Sequence, residues 1–95
     1  MKQMKMGIGY KASCLCTFYN NGKANVMIID SVFVKEKFRG KGYGTHLIRL
    51  AIDTARDEKI DSIELVVNKD NKIAKKLYKN LGFEKTKKDY YRLIL

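Results

Sequence analysis

Residues 39–45 read Arg-Gly-Lys-Gly-Tyr-Gly-Thr, the composition of an anion site. Gly40, Gly42 and Gly44 alternate with Arg39, Lys41 and Tyr43, and Thr45 opens an amphipathic segment. A helix N-terminus exposes unpaired N–H groups and partial positive charge. Helices built only for stability place Ser, Thr, Asp or Asn at the cap and acids in the first turn. Here two cations add to the dipole instead. The glycines, each costing up to about 1 kcal/mol relative to Ala in a helix interior, allow close approach to the backbone. A phosphate completes such a site. The same residues also fit a mobile glycine loop with solvated cations. No Lys-Ser/Thr follows the last glycine and the spacing is not G-x-G-x-x-G, which excludes a nucleotide P-loop and a dinucleotide fingerprint.

Other reactive side chains are few. Asp30 interrupts an apolar, β-branched run, and a buried carboxylate is costly unless partnered. It reads as a functional group, a bulge marker or half of an ion pair. The single histidine, His46, sits near the loop without a visible triad partner, which favours a partly exposed helix residue. Cys14 and Cys16 share one face of a strand, a spacing that does not suit a relaxed disulfide. With one histidine and no second cysteine pair, a zinc site is not expected. Both thiols read as small apolar packing residues in a reducing setting, and the expected location is cytoplasmic. No run is long and apolar enough for a membrane span, and residues 1–10 lack a signal-peptide core.

Ninety-five residues suit one compact domain. The net charge of +10 admits nucleic acid, a phosphorylated cofactor or an acidic surface as partner. It equally fits a solvated, Lys-rich surface, because lysine is spread along the chain and no basic helix or aromatic platform stands out.

The elements that position these residues follow from periodicity. Residues 1–10 are weakly patterned, a frayed start or a short edge strand. Residues 12–19 read as a strand with Ala12, Cys14, Cys16 and Phe18 on one face. Asn20-Asn21-Gly22-Lys23 suggests a type I′ hairpin. Residues 24–34 return as the second arm. Val26, Ile28, Val32 and Val34 are expected on one face and Met27, Ile29 and Phe33 on the other, as in an interior strand covered on both sides. A helix is expected over about 42–59, with Leu47, Leu50, Ala51, Thr54 and Ala55 as its stripe. A strand over 63–67, a helix over about 72–80 ending at Gly82, and strands over 83–86 and 90–95 around Lys87-Lys88-Asp89 complete the chain. Strand, long helix and strand make a right-handed βαβ unit with parallel strands.

Two segments together resemble the GNAT superfamily of acyl-CoA N-acyltransferases. Arg39-Gly40-Lys41-Gly42-Tyr43-Gly44 fits Q/R-x-x-G-x-G/A after a strand. Asn71, Ala74, Leu77, Tyr78, Gly82 and Phe83 fit N-x-x-A-x-x-L-Y-x-x-x-G-F. The resemblance covers roughly residues 12–95. The usual N-terminal strand and two helices have no room in this chain, and Glu36 stands where many members carry proline.

The resemblance implies an α/β fold, a central mixed sheet with an antiparallel hairpin, a βαβ crossover and a C-terminal hairpin, forming a single domain over 1–95. It implies acetyl-CoA as cofactor and acyl donor, with no metal. The pyrophosphate would rest on Arg39, Gly40, Lys41, Gly42, Tyr43 and Gly44, with Thr45 at the helix start. Phe33 and Val34 would bond the pantetheine arm through their backbone, and Asn71 would bind through its side-chain amide. Direct attack of an amine on the thioester needs a proton for the departing thiolate and a base for the amine. Tyr78 matches the family's general acid. Asp30, through water, is the first candidate base and Glu64 a weaker one. The activity implied is N-acetyltransfer to a primary amine. An acyl-CoA-binding module without transferase activity and a basic nucleic-acid-binding protein are the alternatives. The acceptor is an unidentified amine, with no membrane partner, and dimerisation is one way to supply a missing wall.

Overall fold

The computed structural model describes residues 2–87 and 89–95. Met1 and Lys88, the latter inside the expected 87–89 turn, lie outside the described residues. The strands are β1 (Lys2–Ile8), β2 (Ala12–Asn20), β3 (Asn25–Val34), β4 (Ser62–Val66), β5 (Glu84–Lys87) and β6 (Tyr90–Ile94). The helices are α1 (Tyr43–Asp57), between β3 and β4, and α2 (Lys72–Asn80), between β4 and β5. One mixed sheet runs β1-β2-β3-β4-β6-β5. Its pairs are antiparallel except β3 with β4, which are parallel across the α1 crossover. The expected α/β architecture is therefore present. The weakly patterned start is a seven-residue edge strand.

Three expectations change. The hairpin is not type I′, which needs positive φ at two adjacent residues. Only Gly22 is left-handed, at φ 92. The loop spans residues 21–24 between the paired Asn20 and Asn25. Asn20 Oδ1 accepts from Gly22 N, and Asn21 Oδ1 accepts from Lys23 N and Ala24 N. Two Asx turns thus replace the primed turn.

The second change is the parity of β3. Ser31 is left-handed at φ 52. Two residues of β3 face Cys14 between the pairs Ser13↔Phe33 and Leu15↔Asp30, so the strand carries a bulge. Facing flips there. Cys16 opposes Ile29 and Ala12 opposes Val34, which puts Val32 and Val34 with Met27 and Ile29 on the core side, where all four pack. Phe33 is left half exposed.

The third change is cover. Leu47, Ile48, Ala51, Ile52 and Ala55 of α1, Tyr78 of α2 and Phe83 share one core cluster with Cys14, Cys16, Met27, Ile29, Ile63 and Leu65. Both helices therefore lie on that single face. The other face carries Leu15, Ile28, Asp30, Glu64 and Arg92 with no helix over it among the described residues. β3 is an interior strand covered on one side.

Helix ends are local and specific. α2 stops at Gly82, φ 96, with Phe83 N donating to Tyr78 O at 3.0 Å and Gly82 N to Lys79 O at 3.0 Å, the Schellman pattern expected there. α1 starts one residue later than expected and ends at Asp57. Lys59 takes the same left-handed position at φ 58 without being glycine.

Candidate active site

β3 and β4 hold register over residues 26–29 and 62–65. Beyond the bulge, the β4-facing edge of β3 has no strand partner among the described residues. The strands part, and a cleft of about 690 Å³ opens between the end of β3, the start of α1 and the exposed side of α2. Phe33, Val34, Arg39, Gly40, Gly42, Tyr43, Gly44, Thr45, Asn71 and Tyr78 all line it. Two distant stretches of sequence therefore converge on one space.

The loop is built as an anion cradle. Gly40 (φ 74) and Gly42 (φ 87) are left-handed, while Arg39 and Lys41 are not, an alternation that turns successive N–H groups to one side. A Cβ on either glycine would meet nothing within 4 Å, so the backbone angle, not space, selects glycine. Gly42 is the N-cap of α1, with no side-chain cap and no acid in the first turn. Among the described residues, the N–H groups of residues 40–45 donate to no backbone or side-chain acceptor. Gly44 lies inside the cleft wall, where an added Cβ would stand 3.5 Å from Leu77 Cδ1 and 3.9 Å from Val34 Cγ2.

Surrounding side chains hold the loop. Arg39 Nε donates to Val34 O at 2.9 Å, and its guanidinium lies 5.8 Å from the Phe33 ring centroid. Arg39 is thus folded against β3 and takes up the Val34 carbonyl. Phe38 packs edge-on against Tyr10 and Tyr43. The Lys11 ammonium lies over Phe38 and Tyr43 and donates to the Tyr43 hydroxyl at 3.3 Å. Lys41 is exposed and is not among the lining residues.

Asn71 caps α2, its Oδ1 accepting from Ala74 N at 3.1 Å. Asn71 lines the cleft, and its amide Nδ2 remains available as a donor. Tyr78, 6% exposed, lies two helical turns further along and packs on Phe83. Burial, and after it the charge of Cys14, raises its phenol above the ordinary tyrosine value. It therefore keeps its proton at neutral pH, as a proton donor must.

The structure does not bring the carboxylates into the cleft. Asp30 opposes Leu15 one residue before the bulge and is not a lining residue. Glu64 on the open face accepts from the Tyr19 hydroxyl at 3.3 Å and from Arg92 at 3.5 Å. His46 is exposed and outside the cleft. Phe38, Ile48, Ile73 and Leu77 also line the cleft and were not singled out as site residues. None of the four carries a polar signal. Ile73, 83% exposed beside Ala74 and Leu77 on the cleft side of α2, is the one whose exposure invited notice. Among the described residues no three His, Cys, Asp or Glu side chains cluster, and no helix is long and apolar enough to cross a membrane.

A profile of the Acetyltransferase (GNAT) family matches residues 9–83. The chain belongs to the GNAT acetyltransferase family. An uncharacterized N-acetyltransferase of Methanocaldococcus jannaschii is 42% identical over 78 residues, 81% of this chain and 34% of that protein. A chain of the NatC complex, solved with Gag peptide and CoA, superposes with a TM-score of 0.78 at 26% identity, over 88% of this chain and 59% of that one. The GNAT chain therefore spans about a third of that archaeal relative and well under two thirds of the NatC chain. The anti-CRISPR protein AcrVA5 has the same fold at the same extent, with a TM-score of 0.76, 19% identity and coverage of 98% and 99%.

Proposed function

We propose that this GNAT chain binds acetyl-CoA in the cleft and transfers its acetyl group to a primary amine. The observation that carries the reading is the convergence, at the parting of β3 and β4, of an uncapped, cation-flanked helix start and a buried, protonated Tyr78. The residues fit the cofactor. The free N–H groups of residues 40–45 suit a pyrophosphate. The unpaired β3 edge at Phe33 suits an extended amide arm, and Asn71 Nδ2 supplies a further donor. Bound acetyl-CoA would supply the thioester that the amine attacks.

Tyr78 donates its phenolic proton to the departing sulfur. Asp30, two residues before the cleft-lining Val32 and itself outside the lining, takes the proton released by the amine through intervening water. The NatC structure was solved with CoA and a peptide, which supports CoA as donor and makes peptide amino termini the first acceptors to try. The reading includes a cytoplasmic setting, supported by two free buried thiols, a single GNAT-like domain, and a second copy walling the open sheet face.

Calorimetric titration with acetyl-CoA, followed by acetyl transfer to peptides, lysine-type amines and polyamines, tests it. Tyr78→Phe is expected to lower turnover by about 10²-fold or more with acetyl-CoA affinity unchanged. Unchanged turnover in a folded variant removes Tyr78 as the acid. Tight binding with no transfer to any amine makes the chain a cofactor-binding module. Salt-sensitive DNA binding undisplaced by CoA favours the nucleic-acid reading.

A further inference from the structure

Four sulfur side chains of β1 and β2 meet on the helix-covered face of the sheet. The register sets Met6 opposite Cys14 and Met4 opposite Cys16, and residues two apart on a strand share a face. Directly opposed Cβ atoms lie about 4.5–5.5 Å apart, so the four form one block of the ladder. Within it the Cys16 thiol donates to the Met6 thioether at 3.6 Å. Cys14 and Cys16 are buried free thiols, at 2% and 0% exposure. Met4 and Met6 are half-buried on β1, the outermost strand of the sheet.

We propose that Met6, Cys14 and Cys16, with Met4 beside them, form a site for one soft monovalent cation, Cu(I) or its analogue Ag(I). Thiolate and thioether sulfurs favour Cu(I). Zinc sites are closed by four Cys, His or carboxylate ligands, and no such cluster of three or more occurs among the described residues. Asp30, the carboxylate felt by both thiols, sits opposite Leu15 on the other face.

Binding replaces both thiol protons, which pass to solvent, while copper stays Cu(I) and no electron moves. Entry runs from the open edge of β1 across the half-buried methionines. Met and Cys are also ordinary core fillers. What distinguishes these is their gathering in one block with two sulfurs in contact. None of the four lines the cleft, and the metal-binding test reads no acetyl transfer.

The test is anaerobic titration of the full chain with Cu(I) in competition with bicinchoninate, with Zn(II) as a rival. The expected result is one Cu(I) per chain, undisplaced by Zn(II), with a sulfur-only shell by X-ray absorption. The Cys14→Ser/Cys16→Ser variant should lose it. Met6→Leu is nearly volume-conserving and should keep the fold, checked by circular dichroism, yet bind Cu(I) about tenfold or more weakly. Wild-type affinity in folded Met6→Leu overturns the site, and so does equal binding by the double serine variant. If that double variant does not fold, Met6→Leu decides alone.

Discussion

The two helices begin on either side of one cleft and begin differently. α2 is finished by its own chain, since Asn71 receives the Ala74 N–H. α1 begins on a left-handed glycine with no side-chain cap, behind Arg39 and Lys41. Neither has an acid in its first turn. A side-chain cap is worth about 1 kcal/mol, and α1 forgoes it. Its stability comes from packing, through Leu47, Ile48, Ala51, Ile52 and Ala55 on the sheet. The comparison teaches that a helix anchored by its flank can leave its end free for a ligand, whereas the shorter α2, with Tyr78 as its one buried residue, needs its cap.

Gly42→Glu gives the largest expected effect on this contrast. A carboxylate at the start of α1 opposes the phosphates, and a like-charge contact costs several kcal/mol, so acetyl-CoA affinity should fall about 100-fold or more by calorimetry. Gly42→Asn tolerates the left-handed angle and should retain most of the affinity. Equal affinity in Gly42→Glu and the wild type would break the contrast, since α1 would then be no more open to an anion than α2.

Asn71 sharpens the other side. Asn71→Ala should cost about 1 kcal/mol in a denaturant titration. Asn71→Asp keeps the cap and suits the helix dipole, so stability should hold while acetyl-CoA affinity drops several-fold through loss of the Nδ2 donor and added charge. Unchanged affinity in Asn71→Asp reduces Asn71 to a cap.

The smallest effect is the pH dependence of stability at Tyr78. Its folded value is raised by burial and then by Cys14, so the folded chain holds a proton that the unfolded chain gives up near pH 10. The contribution is complete below about pH 10 and is lost as pH rises through the folded value. Thermal midpoints should therefore decline less steeply above pH 10 in Tyr78→Phe than in wild type. Parallel curves would show that the phenol is not held by its burial.

Periodicity located α1, α2 and the parallel crossover, because a stripe of Leu, Ile and Ala has one spatial solution. The motif residues around Gly42 and Tyr78 foretold most of the cleft lining, since backbone conformation and spacing are carried by residue type at those places. The bulge at Ser31 was legible only as one of three readings of Asp30, the residue that interrupts the run. Serine does not announce a left-handed angle, and β3 is apolar at both parities, so the pattern does not show which way the faces slip. The error moved Phe33 and Val32 to the wrong faces and hid the reason Asp30 stays outside the cleft. One-sided cover was equally hidden, because Val26 is buried at 2% on the face that carries no helix, sheltered by its neighbours in the sheet.

The narrow joint between β3 and β4 has a consequence for how the chain folds. β1, β2 and β3 form one triplet of consecutive hairpins over short loops; β4, β6 and β5 form the other, in which β5 and β6 close over a short loop while β4 pairs β6 across 24–32 residues. The two triplets meet through a parallel seam of four register pairs, Val26↔Ser62 to Ile29↔Leu65, each 36 residues apart in sequence. Long closures carry the larger entropy cost and slow folding. That seam is therefore the late event of assembly, and the place where the finished sheet gapes is the place where its two halves were last to join.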